Sequence, residues 1–227
     1  MTASSRVASL AQPGGPGIAV PLGLRAAARI QERDWDEFLT NPTQLANGCR
    51  DLVDAVAPDA IVVTSTEVLL VQSEEHGSLE RSPHLGAAVE AAERLVQSIG
   101  GRVAVAVSLP GPVLLSRSTG AGAEAAAEEV LHAAQAFLAA GVDLILVEEP
   151  EPDHAVSVST LANVARFHQA HVVVIGPAWS GLAPAGVAGV DGLDAAGAAS
   201  GVVVTAGELP RDVDLGALDE WVAGVQG

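Results

Sequence analysis

Short runs of β-branched residues alternate with alanine-rich stretches of helical period along most of the chain, and that alternation predicts parallel βαβ units. The first apolar run covers residues 17–24 and the second covers 59–64. Between them Asn41-Pro42 opens a helix, since Asn caps free N–H groups and Pro suits a first turn. Leu45, Cys49, Leu52, Val53 and Val56 then fall on one face. Ser82-Pro83 opens a second helix, with Val89, Ala92, Val96 and Ile99 in one stripe and Gly100-Gly101 as its stop. A strand over 103–109 follows, then a helix over 124–140 that buries Val130, Leu131, Ala134, Phe137 and Leu138. Gly141 leads into a strand over 142–148, a helix over 160–168 and a strand over 171–175. Strands at 187–190 and 202–205 and a helix over 214–225 complete the pattern.

The expected fold class is α/β, a compact or incomplete (β/α)8 TIM-type barrel, with a doubly wound open sheet as the alternative. Shared among eight units, 227 residues leave about 28 each, against about 31 in a typical 250-residue barrel. Residues 1–16 read as a flexible tail and 17–227 as a single domain. No GxGxxG stands between a strand and a helix, and Gly14-Gly15-Pro16-Gly17 precedes the first strand, so dinucleotide binding is set aside.

Charge narrows the partners. With 11 basic and 28 acidic side chains the net charge is −17, which repels phosphate backbones and anionic headgroups. Neither nucleic acid nor a membrane is expected as a partner. At 49% hydrophobic and 17% charged the chain can bury a large core. The single Cys49 forms no internal disulfide, has no zinc-finger partner, and reads as core. No apolar run reaches the roughly 18 residues of a membrane span, residues 1–16 lack a signal-type apolar stretch, and the expected location is cytoplasmic. Neither a cofactor nor a metal site is expected from the residue pattern.

At Val20-Pro21-Leu22-Gly23-Leu24-Arg25-Ala26-Ala27-Ala28-Arg29 the chain resembles the uroporphyrinogen decarboxylase / cobalamin-independent methionine synthase-like superfamily, as a diverged, shortened member. The likeness continues through Glu37 to Pro42, through Asp59-Ala60-Ile61-Val62-Val63 and through Leu109-Pro110-Gly111-Pro112. It returns in Gln135 to Asp143 and in Gly207-Glu208-Leu209-Pro210, so the motifs stand in family order over most of 17–211. The resemblance implies a barrel with its site at the strand C-termini and chemistry of the lyase (decarboxylation) or methyltransferase type. It implies a small carboxylated ligand, tetrapyrrole-like or other, gripped by Arg25 and Arg29. Where the decarboxylases carry an Asp after the second strand, this chain reads Thr64-Ser65-Thr66-Glu67. The zinc methyltransferases of the superfamily need a His-x-Cys pair and a distant Cys, and here there is one Cys.

Strand C-termini face the site in such a barrel, and here they are acidic. Glu67 follows the second strand, Glu148 and Glu149 the fourth, Asp191 a sixth and Glu208 the seventh, with Trp179 and Ser180 after the fifth. Carboxylates converging on a low-dielectric mouth raise one another's pKa and serve as general acid and base. Glu67 and Glu149 are the candidate catalytic residues. Arg25, Arg29, Trp179 and Glu208 are the candidate substrate-binding residues, with local salt bridges from the arginines to Glu32, Asp34 or Asp36 as the competing reading. The segment 148–154 is the most acidic, and its Pro150 and Pro152 favour an extended rim. His168 and His171 flank the fifth strand at its N-terminal side, whereas His76 and His84 read as mobile loop histidines in a polar lid over 72–83. Two functions stay open: an enzyme with a diverged mouth, or a catalytically silent relative that binds a ligand or partner. A shortened barrel leaves edges to cover, which points to a homodimer.

Overall fold

The computed structural model describes Val7 and residues 17–149, 155–175, 188–190, 202–205 and 207–226. Strands β1 (Ile18–Val20), β2 (Ala60–Val62), β3 (Ala104–Pro110), β4 (Leu144–Glu148), β5 (His171–Ile175), β6 (Ala188–Val190) and β7 (Val202–Thr205) form two all-parallel sheets. One is ordered β1-β7-β6 and the other β2-β3-β4-β5. The fold is therefore α/β. Its ladders do not close into a barrel among the described residues, because no ladder joins β1 to β2 or β5 to β6.

Both sheets nevertheless share one inner face. Ile18, Val20, Ala60, Val62, Ala104, Ala106, Leu144, Leu146, Val202 and Val204 form one buried cluster, which Val7 also enters. Alternate residues such as Ile61, Val105, Val107, Ile145, Val147 and Val203 point the other way, into the layer under the helices.

Two aspartates splice the strands at their N-terminal ends. The Asp59 N–H donates to Ala19 O (3.2 Å) while Asp59 Oδ2 accepts from the Ala19 N–H (3.0 Å), which ties β2 to β1 where no ladder runs. Asp143 repeats the device, donating its N–H to Val105 O and accepting from the Val105 N–H, both at 2.9 Å. Desolvation raises the Asp143 pKa, against the Val105 N–H and the His171 charge. Asp59→Ala would leave the buried Ala19 N–H without this acceptor and is expected to cost about 1–3 kcal/mol in urea unfolding. A loss indistinguishable from zero would contradict the splice.

The helices are α1 (Leu24–Ile30), α2 (Trp35–Thr40), α3 (Pro42–Val56), α4 (Thr66–His76), α5 (Pro83–Ile99), α6 (Pro112–Thr119), α7 (Ala123–Ala139), α8 (Ala155–Phe167) and α9 (Leu215–Gln226). Asn41 and Ser82 cap α3 and α5 as the sequence indicates, and Cys49 is fully buried on the α3 core face.

Several expectations are corrected. The first apolar run is a strand only to Val20, and Leu24 already begins α1. Helix α2 was not expected; Asp34 starts it by accepting from the Asp36 and Glu37 N–H groups. The region 72–83 is not one polar loop, since residues 72–76 finish α4 and Leu79 is buried. Helix α4 escapes a periodicity reading because its apolar residues, Val68, Leu69, Leu70 and Val71, are consecutive and make no stripe. His84 is not a loop histidine: it lies in α5 and is fully buried. Gly48 allows the α1–α2–α3 approach, since a Cβ there would stand 2.6 Å from the Phe38 ring and 3.0 Å from Ala27 O.

Candidate functional site

At the C-terminal ends of the strands, polar side chains converge on four consecutive residues that lead from β2 into the first turn of α4: Thr64, Ser65, Thr66 and Glu67. Each reaches in a different direction. The Thr64 hydroxyl lies 2.8 Å from His84 Nε2, and His84 Nδ1 lies 2.9 Å from Leu39 O. A carbonyl only accepts, so Nδ1 carries the proton and Nε2 accepts from Thr64. Burial lowers the His84 pKa to about 4, against the pull of the Leu39 carbonyl, so the ring is neutral at ordinary pH.

Thr66 joins a second chain. The Ser108 hydroxyl donates to Glu148 Oε1 (2.8 Å), which leaves the Ser108 oxygen to accept from Thr66 Oγ1 at 3.1 Å. Glu148 continues the inward register of Leu144 and Leu146. Its neighbour Glu149 is buried on the other side of the strand, where Oε2 accepts from the Val113 N–H (3.2 Å) in the first turn of α6.

Glu67 and Ser65 meet the third group. Arg25 Nη2 lies 3.0 Å from Glu67 Oε1, with both side chains partly exposed. The Arg25 guanidinium also stacks over Trp35, its Cζ being 4.8 Å from the ring centroid. The backbone N–H of the same residue donates to Glu208 Oε1 at 2.9 Å. Glu208 is placed by the turn after β7, where Thr205 Oγ1 accepts from the Leu22 N–H (3.0 Å) and the Leu209 N–H donates to Leu22 O (2.7 Å). The buried Oε2 of Glu208 and the buried Oγ of Ser65 have no hydrogen-bond partner among the described residues.

Desolvation pushes the Glu208 pKa from 4.5 up to about 8. The Arg25 N–H, the Ser65 hydroxyl beside it and the Arg25 charge pull it back down, whereas the Glu67 charge adds to the rise. At neutral pH Glu208 is therefore mainly a carboxylic acid. With Oε1 accepting, its proton sits on Oε2, beside the Ser65 hydroxyl.

Arg25, Glu67 and Glu208 thus come together, whereas Arg29 turns away and donates from Nη2 to Val213 O (2.8 Å). Trp179, Ser180, Asp191 and residues 150–154 lie outside the described residues. Ser65, Thr66, Ser108 and Trp35 were not anticipated from the sequence. Strand alternation alone would have found Ser108 and separated Glu148 from Glu149; for Ser65 and Trp35 no local signal exists.

A thiolate-ligated zinc does not fit this chain. Its one cysteine is buried, burial pushes the thiol pKa up with the Glu208 charge adding to it, and the Sγ faces Val62 O at 3.9 Å. Among the described residues no three His, Cys, Asp or Glu side chains stand together as a metal site. No described helix is long and apolar enough to cross a membrane.

No family model matches the chain, and no curated protein matches it. Among solved structures a methyltransferase from Methanosarcina mazei is similar, with a TM-score of 0.73 over 99% of this chain and 98% of its own, at 14% identity. At that identity the likeness shows a shared fold.

Proposed function

We propose that the chain is a group-transfer enzyme of the uroporphyrinogen decarboxylase / cobalamin-independent methionine synthase-like superfamily, built as an incomplete (β/α)8 barrel. It takes a small carboxylated molecule at the mouth and transfers a methyl or related group, with Glu208 as proton donor. The methyltransferase fold of the structural neighbour favours transfer over decarboxylation.

The observation that carries the reading is the Glu208 carboxyl, whose buried Oε2 and the buried Ser65 hydroxyl beside it reach no other group among the described residues. A buried polar atom without a partner costs free energy, and a ligand acceptor placed between these two groups would recover it. A general acid works best with its pKa near the operating pH, and about 8 meets that condition. When a methyl group passes from a heteroatom of the substrate to the electron pair of a second, nucleophilic substrate, the new bond forms as the old one breaks, the old bonding electrons stay on the heteroatom, and the Glu208 proton neutralises that atom, leaving Glu208 a carboxylate. Arg25 supplies the anion grip once a ligand carboxylate takes the place of the exposed Glu67. A second reading, a binding subunit without turnover, draws on the Arg25–Glu67 pair, which already satisfies the guanidinium.

Thermal unfolding of wild type, Arg25→Ala and Glu208→Gln with coproporphyrin, uroporphyrin, a corrinoid and smaller carboxylates tests the proposal. A ligand at a hundred times its Kd stabilises by about 2.7 kcal/mol. The wild-type shift is expected to vanish in Arg25→Ala and to survive in Glu208→Gln, which binds but does not transfer. If no carboxylate shifts the wild type, the ligand assignment fails. If Glu208→Gln turns over like wild type, the proton-donor role fails.

A further inference from the structure

We infer that the cleft between α2 and α4 is a binding site for a weakly hydrated organic cation, a quaternary ammonium or an amidinium-type group. The cleft encloses about 350 Å³, the lower end of the range for small-molecule sites. Its recognition geometry is visible because the chain's own guanidinium occupies one corner. Arg25 lies over the Trp35 face at 4.8 Å and against the Glu67 carboxylate at 3.0 Å. An aromatic face with a carboxylate at its edge is the arrangement that holds organic cations through the ring quadrupole and charge together.

Three further observations agree. Trp35 is a rigid platform, stacked on the fully buried Phe38 with centroids 6.2 Å apart and planes 16° from parallel. The cleft wall carries three carboxylates, Asp36, Glu67 and Glu75, against the one Arg25, within a chain of net charge −17, so its field favours a cation. Leu39, Val68, Val71 and Pro83 add apolar surface to a wall that also carries Thr40, Gln72 and His76, and Val71 is 51% exposed there, one of two large hydrophobic side chains left open among the described residues. An alkyl-skinned cation covers such a surface, whereas a hydrated metal ion does not.

Arg25 is thus an internal competitor for this seat. Removing it has opposite consequences at the two sites: anion binding at the mouth is lost and cation binding in the cleft is strengthened. Failure of one assignment is therefore distinguishable from failure of the other.

The test is a calorimetric titration of tetramethylammonium chloride into wild type, Arg25→Ala, Glu67→Gln and Trp35→Ala, with sodium chloride holding the ionic strength constant. Wild type is expected to bind saturably and Arg25→Ala to bind about fivefold tighter, the loss of one competing cation–π contact. Binding is expected to weaken in Glu67→Gln, an exposed position where the fold is not at stake, and to disappear in Trp35→Ala. No saturation in either wild type or Arg25→Ala overturns the inference, as does weaker binding in Arg25→Ala than in wild type.

Discussion

Raising the pH from about 4.5 to 8 is expected to cost the fold on the order of 4 kcal/mol through Glu208 alone. The group's pKa is higher folded than unfolded, so its contribution is complete below the unfolded value of 4.5 and is lost as pH rises through about 8. In that window the unfolded chain has released a proton that the folded chain still holds. Each pH unit then lowers stability by about 1.4 kcal/mol. Urea unfolding of wild type and Glu208→Gln across pH 4.5 to 9 isolates the effect, because Gln keeps the shape and the acceptor for the Arg25 N–H but does not titrate. The wild-type curve is expected to fall relative to the variant across this window and to level off above it. Parallel curves would mean that Glu208 is ionised at neutral pH, and the proton-donor assignment would go with them.

His84→Ala is expected to lose about 3–5 kcal/mol at neutral pH, by opening a core cavity and leaving the Thr64 hydroxyl and the Leu39 carbonyl without their partner. The native histidine sets an acid limit of its own. Its pKa is lowered from 6.5 to about 4, so as pH falls through this window the unfolded chain takes up a proton that the folded chain refuses. Stability falls by on the order of 3 kcal/mol before both states are protonated. In NMR the His84 ring resonances should stay flat through pH 6.5. A substitution loss below about 1 kcal/mol, or a ring titrating near 6.5, would show a solvated histidine instead. Because Thr64 precedes Ser65, His84→Ala should also shift the Glu208 titration, a readout that generic loosening of the core would not single out.

The two windows overlap, and between about pH 4.5 and 6.5 their opposing slopes cancel, so together these groups predict a stability plateau there, with loss below it from His84 and above it from Glu208. Neither was legible in the sequence. His84 follows Ser82-Pro83, a helix start that was legible, but its burial depends on Leu39 and Thr64, which lie 45 and 20 positions away in the chain. Glu208 was visible as an acid after a strand; its retained proton follows from desolvation that only the packed turn after β7 produces.

What the sequence by itself determined is local. The β-branched runs specified β2 to β5 and β7 to within a few residues, and Asn41-Pro42 and Ser82-Pro83 specified the starts of α3 and α5. Apolar periodicity placed Cys49 in the core. These features need only neighbours three or four positions away, and a strand or helix period writes them into the chain. Helix α4 failed that reading because its apolar residues, Val68 to Val71, are consecutive and leave no periodic stripe. Tertiary structure alone decided the partners. Arg25 had Glu32, Asp34 and Asp36 close by in sequence and is paired with Glu67, 42 positions on. Glu148 and Glu149 are adjacent, yet one joins Ser108 on the inner face and the other caps α6. A charge takes its partner and its pKa from whatever packing brings within a few ångströms and from how much water that packing removes, and neither quantity is encoded at the residue itself.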